Sequence, residues 1–233
     1  MRKLEDHYWW FVSRRNLALR LLKSRSQPDH KILDVGCGTG ALLHQIQQQF
    51  WAAGLDFSHH ALSFSRQRGL KHLLFADAQS IPLNDGSFDT VISLDTIEHV
   101  PNDAAAISEI FRVLKPGGTL IMNVPAFSWL WGPHDVALMH YRRYHRRQVI
   151  ELLTQSGFQI EKCSYSVFFL FPVVVLRRAF EKLQRGEPKV RLPRVSKFTN
   201  SVLEKLMELE ASLFVRLNLP WGSSVVAVAT KPN

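Results

Sequence analysis

Asp34-Val-Gly-Cys-Gly-Thr-Gly40 is the stretch that decides the fold, because it places three alternate glycines directly behind the apolar run Lys31-Ile-Leu-Asp34. That run predicts a buried strand. Glycine carries no Cβ and adopts positive φ, so the loop can turn sharply and bring its N–H groups close to a ligand. Helical spacing then follows in the apolar residues Leu42, Leu43, Ile46 and Phe50. Strand, glycine turn and helix together predict the nucleotide-binding half of a doubly wound α/β domain.

Strand and helix patterns alternate along the rest of the chain, which predicts a mostly parallel sheet covered by helices. Strands are expected at 32–35, 52–55, 72–75, 90–94, 119–124, 157–164 and 223–229. Helices are expected at 5–23, 102–114, 147–156 and 196–217. The interval between the last two strands is long for a connection, which predicts a helical insertion at this point.

The composition favours one domain, since 233 residues with 46% hydrophobic content can bury a full core. We divide it into an N-terminal helical cover at 1–29, a cofactor-binding core at 30–125, a lid on the acceptor side at 126–146 and the insertion at 167–220. The two cysteines, Cys37 and Cys163, offer no disulfide framework, and the first residues do not resemble a signal peptide. We therefore expect a cytoplasmic protein.

Positive charge and one apolar segment raise the question of a membrane. The formal net charge is +9, with basic residues concentrated at 142–147 and 177–197, which predicts an anionic partner. The apolar run 167–176 contains Pro172 and is about half of the ~20 residues that a spanning helix requires. Two hypotheses stay open: the run lies in an anionic membrane interface at the inner face of the membrane, or it is buried beneath the helix at 196–217.

Further motifs follow the glycine loop in order. Asp56 ends the second predicted strand, Asp77-Ala78 follows the third, and Ser87–Asp95 and Leu114–Met122 follow in turn. This set, over residues 31–125, resembles the class I S-adenosylmethionine-dependent methyltransferases, in the type 11 group that includes the ubiquinone-pathway O-methyltransferases. Two segments outside it, 7–14 and 140–144, resemble bacterial members associated with glycan pathways. The resemblance implies a seven-stranded Rossmann-like sheet with its last strand inserted antiparallel beside the sixth.

The resemblance also implies how S-adenosylmethionine is held and released as S-adenosylhomocysteine. Asp34 would face the methionyl ammonium, and Asp56 would accept hydrogen bonds from the ribose hydroxyls. Arg14, beside Trp9 and Trp10, would pair with the methionyl carboxylate. The other expected contacts are the loop residues Gly36, Cys37, Gly38 and Gly40, Phe57 beside the adenine, Asp77 and Ala78 on the adenine edge, and Leu94. The aspartates would alternatively cap the helices that follow them.

Histidines are the candidates for activating an acceptor, because imidazole titrates near neutral pH. His99, His134 and His140 are the candidate catalytic residues. The motif at 95–99 resembles a metal-supporting motif, so the alternative is a Mg²⁺ site of Asp95, Glu98 and His99, completed by His134, Asp135 or His140. In a third hypothesis, 98–99 merely begins a loop. Acceptor contacts are expected from Trp129, Trp131, Arg142 and Arg143.

The chain is thus predicted to methylate an oxygen of a small-molecule, glycan or lipid-linked anionic acceptor. A non-catalytic cofactor-binding or membrane scaffold is the alternative from another class. An NAD-dependent oxidoreductase is the third hypothesis, since Gly36, Gly38 and Ala41 also satisfy G-x-G-x-x-G/A, but Asp77-Ala78 disfavours it. Specific nucleic-acid binding is not expected, because the sequence contains no recognisable nucleic-acid-binding module.

Overall fold

A seven-stranded sheet forms the centre of the computed structural model, which describes residues 2–183 and 195–233. The strands are β1 (Lys31–Val35), β2 (Trp51–Asp56), β3 (Leu73–Phe75), β4 (Phe88–Leu94), β5 (Leu114–Pro125), β6 (Gln159–Ser166) and β7 (Ser224–Thr230). Their spatial order is β3-β2-β1-β4-β5-β7-β6. In this sheet β7 runs antiparallel to both of its neighbours, β5 and β6, and all other neighbouring pairs are parallel. The prediction of a doubly wound, mostly parallel sheet is confirmed.

Helices flank the sheet and enclose two hydrophobic cores. They are α1 (Arg2–Glu5), α2 (Trp9–Lys23), α3 (Ala41–Ile46), α4 (His59–Gln67), α5 (Asp103–Val113), α6 (Pro133–Ala137), α7 (Arg146–Gln155), α8 (Phe171–Leu183) and α9 (Lys197–Arg216). Successive strand residues point to opposite faces. Accordingly, Ile32 joins the core that includes α2, α3 and α9, whereas Leu33 joins the core that includes α5 and α7.

The strand order creates a crevice at the carboxyl edge of the sheet. The chain moves outward from β1 to β2 and β3, and then returns to place β4 on the other side of β1. Ligands of open α/β sheets bind at such a reversal, outside the carboxyl ends of the strands. Asp34 pairs in register with Gly54, and Asp56 with Phe75, so the first two acidic residues reach the same edge.

Two predicted elements begin four or five residues away from the expected position. The N-terminal helix is interrupted, because Tyr8 adopts extended backbone with φ −82° and ψ 125° between α1 and α2. Strand β5 begins at Leu114 rather than at 119, because Gly117, with φ 74°, lets the chain turn while its N–H donates to the Lys231 carbonyl. Pairing of Leu114 with Phe88 of β4, together with this contact to the chain after β7, extends β5 through a sequence that predicts a turn.

The apolar run at 167–176 is divided between core and surface. Val167 is buried and Phe168 stacks on Trp221 at 5.4 Å between ring centroids. Pro172 lies in the first turn of α8, where the missing N–H costs no helical hydrogen bond. Beyond it, Val173 and Leu176 are exposed, so the hypothesis that the whole run is buried beneath α9 is wrong. No helix within the two described ranges is long and apolar enough to cross a bilayer, and the basic linker at 184–194 lies outside them.

Candidate functional site

Two positions in the glycine loop accept only glycine. Gly36 has φ +78°, and a Cβ there would lie 2.0 Å from Thr96 Oγ1. Gly40 has φ +79°, and a Cβ there would lie 2.3 Å from the Leu70 side chain. The N–H groups of Gly36 and Cys37 donate to the Leu55 carbonyl at 2.8 and 2.9 Å, which fixes the loop against β2. Packing against protein therefore explains these two glycines without a ligand.

Gly38 and Asp34 are different. Gly38 faces unfilled space, and one carboxylate oxygen of Asp34 has no hydrogen-bond partner among the described residues. A Cβ on Gly38 would meet no atom within 4 Å among the described residues. Asp34 is only 3% exposed, and its Oδ2 finds no hydrogen-bond partner within residues 2–183 and 195–233. Burial, and secondarily the Asp56 carboxylate, raises the pKa of Asp34 to about 7. A buried, unpartnered carboxylate beside a glycine with free space fits the ammonium end of S-adenosylmethionine.

The ribose and adenine candidates continue along the same edge. The N–H groups of Gly38 and Ser58 each donate to the Asp56 carboxylate at 2.8 Å, which holds that carboxylate against the loop. Phe57 is exposed and stacks with Phe75 at 6.0 Å between ring centroids. Asp77 accepts from the Gln79 backbone and side-chain amides, both at 2.9 Å. Ala78 is buried beside Asp77, Leu94 is half-buried, and their contacts with adenosine stay predictions.

Arg14 lies over the same crevice but pairs with protein. Its guanidinium forms an ion pair with Asp95, directly after β4, and lies 5.8 Å from the centroid of the Trp10 ring. Burial lowers the pKa of Arg14 to about 10. Asp95 also accepts from Asn123 Nδ2 at 2.6 Å. Arg14 is therefore held by Asp95 in this structure, and its predicted pairing with the methionyl carboxylate would require that ion pair to change.

Glu98, His99 and His140 form a cluster. Glu98 and His99 follow β4 by a few residues, and His140 comes from the lid. The chain reaches this cluster through Thr96, the residue that packs on Gly36, and a 3-10 turn at Ile97–His99. One potential ligand atom from each of Glu98, His99 and His140 lies within 4.8 Å of the others. Glu98 is fully buried, neither carboxylate oxygen has a partner in the part of the chain described, and burial raises its pKa to about 8.

The cluster differs in its members from the predicted magnesium site. Asp95 is engaged by Arg14 and Asn123, and it is not part of the group formed by Glu98, His99 and His140. Two imidazoles and one carboxylate are a donor set for nitrogen-accepting transition metals, whereas Mg²⁺ prefers oxygen ligands and retained waters. Asp95 therefore does not join this group, whereas His140 does, and the Mg²⁺ alternative stays a prediction.

His140 is held by a buried carboxylate, Asp135. Asp135 Oδ1 lies 2.9 Å from His140 Nδ1 and accepts from Arg143 Nε at 2.7 Å. Asp135 Oδ2 accepts from the Gly132 N–H at 2.9 Å and lies 3.7 Å from Arg178 Nη2. Burial alone would raise the pKa of Asp135, but the hydrogen bond to His140 and the Arg143 charge hold it well below its usual range. With Nδ1–H donated to Asp135, the Nε2 atom of neutral His140 is left as a proton acceptor.

Both arginines predicted to bind the acceptor pair with carboxylates of the protein. Arg143 has a side chain only 6% exposed and, besides pairing with Asp135, donates to the Ala126 carbonyl at 2.9 Å. Arg142 pairs with Asp103 at 2.9 Å. Arg143 is therefore occupied by a buried carboxylate, whereas an acceptor contact of Arg142, whose side chain is 32% exposed, stays a prediction.

The other acceptor-side candidates lie along the lid. Trp129 is 49% exposed and packs against Phe171, whereas Trp131 is half-buried. Burial, with the Arg178 charge next, lowers the pKa of His134 to about 4. Burial, with His140 next, lowers the pKa of His99 to about 4 as well. Both rings are therefore neutral at physiological pH, and among the residues that the structure describes no carboxylate is hydrogen-bonded to either ring as Asp135 is to His140.

Sequence reasoning overlooked two residues that shape the site. Gly54 lies inside β2, and a Cβ there would come within 2.8 Å of Cys37 Sγ, so this glycine lets the loop pack on the strand. A glycine within a strand pattern is itself a signal of close backbone approach. Thr96 fills the space over Gly36 and offers no comparable sequence signal.

Several known proteins are similar to this chain. A family model described as a methyltransferase domain matches residues 33–122. A probable S-adenosylmethionine-dependent methyltransferase of Mycolicibacterium smegmatis is 30% identical over 67% of this chain and 62% of its own length. An O-methyltransferase of Pyrenophora dematioidea is 31% identical over 61% of this chain and 59% of its own. The chain thus spans about three-fifths of the length of these two relatives.

The fold also matches solved structures over nearly the whole chain. A SAM-dependent methyltransferase from Archaeoglobus fulgidus superposes with a TM-score of 0.64 at 18% identity, over 98% of this chain and 97% of its own. At that identity the structural similarity shows the fold alone. Support for the family comes from the family model and the sequence relatives. Together the family model and the sequence relatives support a class I S-adenosylmethionine-dependent methyltransferase.

Proposed function

We propose that this chain transfers a methyl group from S-adenosylmethionine to an oxygen of a small-molecule, glycan or lipid-linked acceptor. The observation that carries the choice of oxygen is the Asp135–His140 pair, with 2.9 Å between Asp135 Oδ1 and His140 Nδ1. A hydroxyl is a weak nucleophile until a base removes its proton, and a histidine oriented by a carboxylate is suited to that role. An amine acceptor would need no such base once it is deprotonated.

The protein contributes positioning and one proton transfer. When bound, S-adenosylmethionine supplies an electrophilic methyl carbon and a neutral thioether as leaving group. Asp34 and Asp56 orient that group by charge and hydrogen bonds, which is most of what an in-line transfer requires. His140 Nε2 would take the proton from the acceptor hydroxyl, so that the oxygen could accept the methyl group that the bound cofactor would supply. Asp135 stabilises the imidazolium that forms.

Calorimetry tests the cofactor assignment against its alternatives. We expect binding of S-adenosylmethionine and S-adenosylhomocysteine and no binding of NAD. Binding of NAD alone would support the oxidoreductase hypothesis. Binding of S-adenosylmethionine without turnover, across an acceptor screen that includes lipid-linked sugars, would support the non-catalytic scaffold.

Gly38→Ala tests whether the free space above the loop holds the cofactor. Gly38 has φ +56° and Gly69 has φ +85°, and a Cβ at either position would meet no atom of residues 2–183 and 195–233 within 4 Å. Both substitutions should therefore cost a similar ~1–2 kcal/mol of stability from backbone strain. Only Gly38→Ala is expected to weaken S-adenosylmethionine binding, by about tenfold, because an added methyl group overpacks the cradle. Equal affinities of the two variants would place the cofactor elsewhere.

The pKa of Asp34 predicts how cofactor binding depends on pH. Its folded pKa of about 7 lies above the unfolded value of about 4, so ionising Asp34 destabilises the ligand-free fold as the pH rises through this window. A cationic ligand offsets that cost. Affinity for S-adenosylmethionine should therefore increase by up to about tenfold per unit as the pH approaches 7. Asp34→Asn should show weak binding that changes little over the same range, and a pH-independent wild type would contradict the prediction.

A further inference from the structure

One face of α8 exposes apolar side chains at helical spacing. Val173, Leu176 and Phe180 are 60%, 71% and 61% exposed, and they follow one another at intervals of three and four residues. Pro172 and Ala179 are exposed on the same side of the helix. Single exposed apolar residues are ordinary, but a continuous stripe of this kind marks an interaction surface. We call these five residues the α8 stripe.

The opposite side of α8 is fixed to the acceptor lid. The Phe171 ring lies 5.7 Å from that of Phe127 and 6.1 Å from that of Trp129, measured between centroids. Arg178 lies 3.7 Å from Asp135, the carboxylate that holds His140. The stripe therefore faces away from the domain while its helix contacts the site, and packing within the described chain does not cover it.

The net positive charge of the protein indicates which kind of partner the α8 stripe would bind. The chain has a formal net charge of +9, so two copies repel one another and an anionic surface attracts each of them. Exposed residues of α9 repeat the combination, with Phe198 and Val202 on the same helical face as Lys205. A helix with one apolar face on a basic protein is suited to the headgroup and acyl boundary of a bilayer, not to a soluble ligand that needs a concave pocket.

We propose that the α8 stripe docks on the surface of an anionic lipid bilayer and holds the acceptor lid against it. This inference names a partner and does not depend on methyl transfer by this chain. In the docked state, Trp129 and the lid would lie beside the lipid surface, so an acceptor with a lipid anchor could enter without leaving the bilayer.

Co-sedimentation with vesicles of phosphatidylcholine mixed with phosphatidylglycerol tests the proposal, with pure phosphatidylcholine vesicles as reference. We expect binding to the mixed vesicles at low salt, weakened by added salt. Leu176→Asp should reduce vesicle binding by about tenfold or more. The substitution removes a leucine that would be buried in the bilayer and adds a charge of the same sign as the lipid headgroups. Val215→Asp introduces the same charge at a position of α9 that is 46% exposed and is not one of the five residues of the α8 stripe, and it should bind as the wild type does.

Each other outcome would overturn the proposal. Failure to bind the mixed vesicles, or equal binding to pure phosphatidylcholine, would show that an anionic surface is not the partner. Equal losses of binding in Leu176→Asp and Val215→Asp would show that the α8 stripe is not the docking surface. A concentration-dependent dimer, measured by sedimentation equilibrium and abolished by Leu176→Asp, would assign the stripe to a second copy. Calorimetry with S-adenosylmethionine on the same variants separates these failures from a failure of the cofactor assignment, since neither residue lines the glycine loop.

Discussion

Replacing Asp135 by asparagine is expected to lower the free energy of unfolding by about 3–5 kcal/mol, the usual cost of removing one partner from a buried ion pair. Asp135 is fully buried and holds His140, Arg143 and the Gly132 N–H by hydrogen bonds of 2.7–2.9 Å. Asparagine has nearly the same shape but no charge, and its NH₂ group would face donors. Arg143, only 6% exposed, would then be a buried cation without its anion. Urea denaturation measures the difference.

The pH dependence of that loss identifies the charge as its cause. The folded pKa of Asp135 lies below the unfolded value of about 4, so the carboxylate stabilises the fold above that value. The contribution is lost as the pH falls through the folded pKa, and wild type and Asp135→Asn should therefore converge in acid. Asp85→Asn is the control, because Asp85 pairs with Arg112 but is 78% exposed, and it should cost under ~1 kcal/mol. A similar small loss for Asp135→Asn would mean that the network does not hold the lid.

The glycine loop and the acidic strand ends could be predicted from sequence because their constraints are local. The sharp turn after β1 predicts a glycine at position 36. The aspartates are predicted to lie together because the carboxyl ends of parallel strands share one edge of the sheet. Alternating apolar residues fix the faces of each strand in the same way. Each of these signals lies within one strand and the turn that follows it, so one segment of sequence contains the reason for one piece of structure.

The acceptor side could not be predicted in the same way, because its partners are distant in sequence. Arg143 resembles a surface cation until the fold places it on Asp135, and Arg14 resembles a ligand contact until Asp95 is brought beside it. The exposure of Leu176 depends on where α8 settles against the lid. Spacing indicates that such a residue is charged or apolar, whereas only tertiary packing decides whether it faces protein or solvent.

Replacing His140 by alanine is expected to reduce kcat by about 10²–10⁴-fold, the range that a positioned base contributes, while S-adenosylmethionine still binds. The acceptor would come from the screen described above. His140 is suited to the role because Asp135 fixes its Nδ1 at 2.9 Å and its ring lies 4.6 Å from that of His99. His44→Ala, at an exposed position on α3, should leave kcat unchanged. Calorimetry on the same preparations establishes that the variant keeps its cofactor site.

Two further measurements separate a base from a structural residue or a metal ligand. Imidazole added to His140→Ala should restore part of the rate, because a free base can occupy the vacated space, whereas a lost packing contact would not be restored. Chelation should leave the wild-type rate unchanged if His140 acts on the acceptor directly. Loss of turnover on chelation would instead make Glu98, His99 and His140 a metal site, with the buried Glu98 carboxylate, unpartnered within the described chain, as its anionic ligand. In that case imidazole would not replace the ion, so the two experiments together assign the chemistry of this cluster.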